Sequence, residues 1–220
     1  METPARKGFV DIRPARESDG AFLAWVILAA TRSHLAKGWF DIALELPEIE
    51  TLKFVEGLTR TTAPSWWHWS RFTIAEFDGF PVGALCAFRS GEGYPLSAPA
   101  MTEVTTALGW TDADVTAMWE RAAYMFTCAM DSHDDRWAIE NIAVRPAFRG
   151  RGIARTLVEH AADRGREAGF ETAQISVMIE NLPARRAYEA AGFSLAEEKR
   201  HPDFELEAGS PGLWRFTKEL

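Results

Sequence analysis

The stretch from Ile139 to Ala154 constrains this chain more than any other. A strand pattern from Trp137 to Val144 stops at Arg145-Pro146, and a helix begins near Gly152, with Ile153, Leu157, Ala161 and Ala168 as its apolar face. Between them lies Arg149-Gly150-Arg151-Gly152. A glycine-bearing turn that runs into a helix aims several free backbone N–H groups at one spot, and the helix dipole adds positive potential there. Gly150 and Gly152 let the backbone approach an anion without a Cβ in the way. Arg145, Arg149, Arg151 and Arg155 gather positive charge around them in a chain whose net charge is -8. Glycines and arginines together predict a polyphosphate site; a solvated charged face would account for the arginines alone.

The rest of the chain supplies a sheet for this unit to join. Val10 and Ile12 begin a strand, and a helix is expected from about Gly20 to Ala36 and another over Leu52 to Arg60. Phe72–Phe77 and Val82–Phe88 read as a hairpin closed by Asp78-Gly79. Arg89 to Pro99, rich in Gly, Ser and Pro, reads as a loop, and Asp112 to Met130 as helical. Gly169 is expected to cap the helix that starts at Gly152. Glu171–Val177 alternates as a strand, Asn181 can cap a short helix carrying Tyr188, and strands follow from Phe193 and over Leu213 to Thr217. The expectation is one α/β (α+β) domain over residues 1–220: a mixed sheet flanked by helices, with an inserted loop and helix segment at about 89–135.

Charge and composition exclude several classes. An acidic chain has no general affinity for nucleic acid or an anionic membrane, while an amine-bearing partner suits it. Met1 to Pro14 holds no apolar leader core, and the apolar run Ala21 to Ala30 is too short to span a bilayer, so a cytoplasmic location is expected. Cys86 and Cys128 have neither disulfide-framework nor zinc-ligand spacing, so both read as core residues and no metal is expected.

Arg149-Gly-Arg-Gly152-Ile-Ala154 resembles the Arg/Gln-x-x-Gly-x-Gly/Ala motif of the GNAT acetyltransferase superfamily. Ile142-Ala-Val-Arg-Pro146 is similar to the strand that precedes the motif, and Asn181, Tyr188 and Gly192-Phe193 match the family's later pattern. The resemblance spans residues 137–195. It implies a mostly antiparallel sheet whose central strands splay apart around acetyl-CoA, and transfer of the acetyl group to a primary amine by direct attack on the thioester. It assigns cofactor binding to Ile142, Ala143 and Val144, whose main chain would pair with the pantetheine arm, to Arg149, Gly150, Arg151, Gly152, Ile153 and Ala154 around the pyrophosphate, and to Asn181. Homodimerisation is a further family expectation, and the acceptor is a small-molecule or peptide amine.

The transfer requires an ammonium to lose a proton and a departing thiolate to gain one. Tyr188 matches the family's phenol that donates to the sulfur; otherwise it is a packed helix tyrosine. Glu140 stands where some members carry a base, and a period of two places it on the same strand face as Ile142 and Val144. Its alternative is a polar residue satisfied by neighbouring backbone; Glu76 and His68 are further base candidates. Asn181 can act as a helix cap, a ligand contact or both, and Trp66-Trp67-His68-Trp69 reads as core before it reads as an acceptor wall. Two other functions share these residues. Gly150-x-Gly152 with Glu171 partly imitates a dinucleotide fingerprint, but Arg155 replaces the third glycine and Arg145 to Arg149 separate strand from turn. A non-catalytic acyl-CoA-binding module would keep the turn without needing Tyr188.

Overall fold

The computed structural model describes residues 10–131 and 133–220; residues 1–9, most of the segment in which no leader was expected, lie outside them. In chain order the elements are β1 (Val10–Pro14), α1 (Gly20–Arg32), α2 (Trp39–Leu44), α3 (Glu48–Leu58), β2 (Phe72–Phe77), β3 (Phe80–Arg89), α4 (Ser90–Gly93), α5 (Ser97–Ala107) and α6 (Asp112–Ala122). They continue with β4 (Trp137–Val144), α7 (Ile153–Glu167), β5 (Thr172–Met178), α8 (Leu182–Ala190), β6 (Ser194–Arg200), α9 (Pro202–Ala208) and β7 (Gly212–Glu219).

The described strands form one sheet in the order β1-β2-β3-β4-β5-β7-β6. Its pairs are antiparallel except β4 with β5, which run parallel. Parallel neighbours need a long crossover, and the turn, α7 and the return to β5 supply it. Apolar side chains on one sheet face pack beneath α1, α2, α3 and α5, with Leu23, Ile27, Phe40, Phe54 and Phe88 fully buried. Those on the other face pack against α7 and α8 around Leu157, Val158, Ile175 and Phe216. The sheet is therefore covered on both sides, as its nearly unbroken apolar β3 anticipates.

Several expected boundaries move. The first helix ends at Arg32 because Ser33 turns to φ +58. The hairpin turn is as expected, with Asp78 and Gly79 both at positive φ, and Gly169 at φ +83 follows the end of α7. Arg89 to Pro99 is not a loop: it folds into α4, a 3-10 turn at Tyr94–Leu96 and the start of α5. Its glycines serve close packing, since a Cβ on Gly93 would stand 2.2 Å from Phe88 Cδ2.

Two features of β4 position the site. First, β4 and β5 pair only through Trp137 with Ala173, Ala138 with Gln174 and Ile139 with Ile175. Both strands continue beyond that point without pairing to each other, so the sheet opens in the middle. Second, the β3–β4 register slips between Ala84 and Cys86, and Asn141 sits at φ +51. Asparagine is among the few side chains that tolerate this left-handed conformation. The extra residue makes a bulge that resets the alternation of side chains. Ala138 and Ala143 pack on the α1 side, whereas Ile139, Ile142 and Val144 pack on the α7 side.

Candidate active site

The glycine turn reaches the cleft as its sequence requires. Gly150 and Gly152 adopt φ +74 and +79, where a side chain is strained, and Gly152 is the N-cap of α7. None of the backbone N–H groups from 150 to 155 donates to another described residue. They lie at the positive end of a 15-residue helix, an arrangement that can hold an anion. Of the four arginines, Arg149 and Arg155 line the cleft, Arg149 Nε donating to the Val144 carbonyl at 3.1 Å and Arg155 pairing with Glu159 at 2.8 Å. The other two are placed elsewhere. Arg145 stacks over Phe22 and Trp25 at 5.2 and 5.3 Å, and Arg151 over Phe148 and Phe77 at 5.3 and 5.5 Å. Position 151 can therefore serve an anion through its amide, with its guanidinium turned away.

From this turn a cleft of about 810 Å³ runs between the parting strands. Ile139 to Val144 of β4 form one wall, and Ile175 to Met178 of β5 with Asn181, Ala184 and Tyr188 form the other. Beyond Ile139, the β5-facing edge of β4 has no strand partner. Apart from the Val144 carbonyl, which Arg149 engages, this edge can bind an extended, amide-bearing chain as an added strand would. The free N–H groups of the turn and the unpaired strand edge fit a pantetheine-linked diphosphate.

Tyr188 is 6 % exposed, edge-on to Phe216 at 5.9 Å, and no described residue hydrogen-bonds its hydroxyl. Burial, then the nearby Glu140 charge, push its pKa above the ordinary phenol value, so it remains protonated at working pH. The helix that carries it ends where Gly192, at φ +89, lets the Phe193 N–H return to the Tyr188 carbonyl at 3.0 Å.

Glu140 lines the same cleft, but on a different face from the one that alternation predicts. The Asn141 bulge separates it from Ile142 and Val144 and turns it towards the α1 side, where the Tyr94 hydroxyl donates to Oε1 at 2.8 Å. Burial pushes the carboxyl up to about 7, opposed by the Tyr94 hydrogen bond and by Arg215. Such a group exchanges a proton near neutrality. Glu76 and His68 are absent from the cleft: Glu76 binds Arg13 at 2.8 Å, and His68 Nδ1 meets Ser70 Oγ at 2.8 Å.

Asn181 caps α8, its Oδ1 accepting from the Ala184 N–H at 3.2 Å, while Nδ2 donates to Ser33 Oγ at 2.7 Å. It therefore ties the end of α1 to the cleft wall. Of the tryptophan run, Trp67 is core and Trp66 both packs on it and lines the cleft, together with Trp39. Sequence reasoning missed Tyr94, Arg215 and Trp39. Tyr94 lies in a stretch whose Gly, Ser and Pro content predicts a loop, and nothing in the local pattern ties Arg215 or Trp39 to Glu140, which is 75 residues before the one and 101 after the other.

The family model described as acetyltransferase (GNAT) family matches residues 43–193, and the chain belongs to that family. It is 44% identical over 61 residues to a streptothricin acetyltransferase of Streptomyces lavendulae, covering 28% of this chain and 32% of the relative. It is 37% identical over 67 residues to the ribosomal protein bS18-alanine N-acetyltransferase of Salmonella typhimurium, covering 30% and 45%. The chain thus spans less than half the length of these curated relatives. Among solved structures, one described as an acetyltransferase superposes with a TM-score of 0.70 at 20% identity, over 95% of this chain and 98% of that one. An N-acetyltransferase from Staphylococcus aureus Mu50 gives 0.63 at 18%, over 94% and 100%. These likenesses establish the fold, and with it the doubly wound dinucleotide alternative is set aside. Among the described residues no group of three His, Cys, Asp or Glu side chains converges, and no helix is long and apolar enough to cross a membrane.

Proposed function

We propose that the protein is an acetyl-CoA-dependent N-acetyltransferase that acetylates a primary amine on a small molecule or peptide. One observation carries the reading: a single cleft joins the free N–H groups of the glycine turn to an unpaired strand edge, a protonated phenol and a carboxyl near neutrality. The diphosphate of acetyl-CoA belongs at the free amides of residues 150–154, with the Arg149 side chain beside it, and its amide-bearing arm along Ile142, Ala143 and Val144. Asn181 shapes the opposite wall. Bound there, acetyl-CoA supplies an activated acyl group.

Glu140 takes the proton from the incoming ammonium, directly or through water, freeing the nitrogen lone pair. The C–N bond forms as the C–S bond breaks, and the acylated nitrogen sheds its second proton to water. Tyr188 donates to the departing sulfur, where negative charge develops, and recovers its proton from solvent. Trp39 and Trp66 wall the acceptor end and suit the apolar part of an amine.

Calorimetric titration with acetyl-CoA, with CoA and NADH as comparators, tests the binding half; micromolar affinity for acetyl-CoA and none for NADH is expected. Release of CoA thiol across an amine library tests the other half. Tight binding with no thiol release from any amine would replace the enzyme by a non-catalytic acyl-CoA-binding module.

A further inference from the structure

We infer that Tyr94 is a positioning residue for Glu140: carried by the segment between β3 and α5, it holds one carboxylate oxygen so that the other is presented to the acceptor amine. The inference rests on the reading of Glu140 as the base. The phenol donates to Oε1 at 2.8 Å, leaving Oε2 with no described side-chain partner. The ring itself is fixed from two sides, edge-on to Phe88 at 5.0 Å and to Trp66 at 5.5 Å.

The backbone that delivers Tyr94 is equally constrained. Ser90 anchors the start of α4 to the entry of β4, its N–H and Oγ both donating to the Arg136 carbonyl at 3.0 Å. Gly93 lies so close to Phe88 that only glycine fits, and a Cβ at Gly91 would stand 2.8 Å from Asp134 Cβ. A merely decorative surface loop needs none of these contacts. Behind the carboxylate the bulge is stitched shut, with Cys86 Sγ donating to the Glu140 carbonyl at 3.4 Å and Asn141 Nδ2 to Cys86 Sγ at 3.5 Å.

The titratable and charged groups facing Glu140 are Tyr94, Cys86 of β3, Arg215 of β7 and Tyr188 of α8, with His34 beyond the end of α1 lining the same cleft. Burial holds the Tyr94 and Cys86 protons in place far above neutrality. Arg215 is occupied by the Asp131 carbonyl at 2.8 Å and by Glu197 at 3.3 Å. Tyr94 is therefore the group whose removal changes Glu140 most directly, because a hydrogen bond to the ionised form favours that form.

The test is Tyr94→Phe, which keeps the ring and deletes the donor. Carboxyl carbon NMR of protein labelled at glutamate, with the Glu140 signal assigned by its loss in Glu140→Gln, gives the titration midpoint without any substrate. The midpoint is expected to rise by about one pH unit. The acidic limb of kcat/KM, measured with whichever library amine releases thiol fastest, should move with it: about a tenfold loss below the limb and recovery towards wild-type rates above it. Phe88→Leu loosens the same packing and spares the hydroxyl; it should lower the thermal midpoint and leave both pH midpoints unmoved. An unmoved midpoint in Tyr94→Phe, or an equal shift in Phe88→Leu, overturns the role of Tyr94. An acidic limb that survives Glu140→Gln overturns the base itself, and this inference with it.

Discussion

Replacing Glu140 by glutamine should stabilise the protein at alkaline pH while changing it little at acid pH. Burial lifts the carboxyl from an ordinary 4.5 to about 7 despite Tyr94 and Arg215. A carboxyl whose folded value lies above its unfolded one holds its proton more tightly in the fold. Stability is then complete below the unfolded value, falls as pH rises between the two, and is flat above the upper one. At about 1.4 kcal/mol per pH unit, the ionised fold is roughly 3 kcal/mol less stable than the protonated one. Glu140 lines an open cleft, and solvent screening brings the expected value to about 2 kcal/mol. Glutamine keeps the size and the oxygen that accepts from Tyr94 but carries no charge. Urea unfolding followed by tryptophan fluorescence, at about pH 5 and about pH 9, compares the two proteins, and groups that titrate in both cancel. About a quarter of the effect is already spent at about pH 5, above the unfolded value, so the variant should gain about 1.5 kcal/mol on wild type between the two pH values. A difference that stays constant would mean that Glu140 titrates alike in folded and unfolded chains, and the argument from burial would be wrong.

Other outcomes follow from the same geometry. Tyr188→Phe should lower turnover by about a hundredfold or more with modest loss of CoA affinity; turnover unchanged at every pH would remove the general-acid role. Gly152→Ala places a side chain at φ +79 and should cost about 1–2 kcal/mol in thermal or urea unfolding. Gly152→Glu adds negative charge at the anion site and should abolish measurable CoA binding in the calorimeter; wild-type affinity would overturn the binding mode. Asn181→Ala removes the cap on α8 and the bond to Ser33, so a loss of about 1 kcal/mol in urea unfolding is expected.

The turn and its helix were legible in the sequence because their determinants are local: two glycines at positive φ, an apolar helix face and a preceding strand that ends at proline. The Asp78-Gly79 hairpin and most strands were legible for the same reason. What misled was alternation at Glu140. A period of two holds only while every residue pairs, and the bulge at Asn141 adds a residue that no composition signal announces. Arg89 to Pro99 misled in the opposite direction. Its glycines mark close packing against Phe88 and Asp134, whereas sequence rules read glycine as a break. Tyr94 was hidden by that reading, and its meeting with Glu140 across 46 residues is a tertiary event. The arginines around the turn were over-read: charge in sequence proximity says nothing of which guanidinium stacks on Phe148 or Trp25.

An ordinary sheet has two edges, both at its rim. This one carries a further pair inside, where β4 and β5 separate after three residue pairs. A ligand that docks there by main-chain bonds is recognised by atoms every amino acid shares, so Ile142, Ala143 and Val144 can be exchanged for other packing residues without rewriting what the edge offers. Only insertions, deletions or proline would change the message. A recognition surface of that kind is nearly invisible to mutation, and sequences can drift far around it.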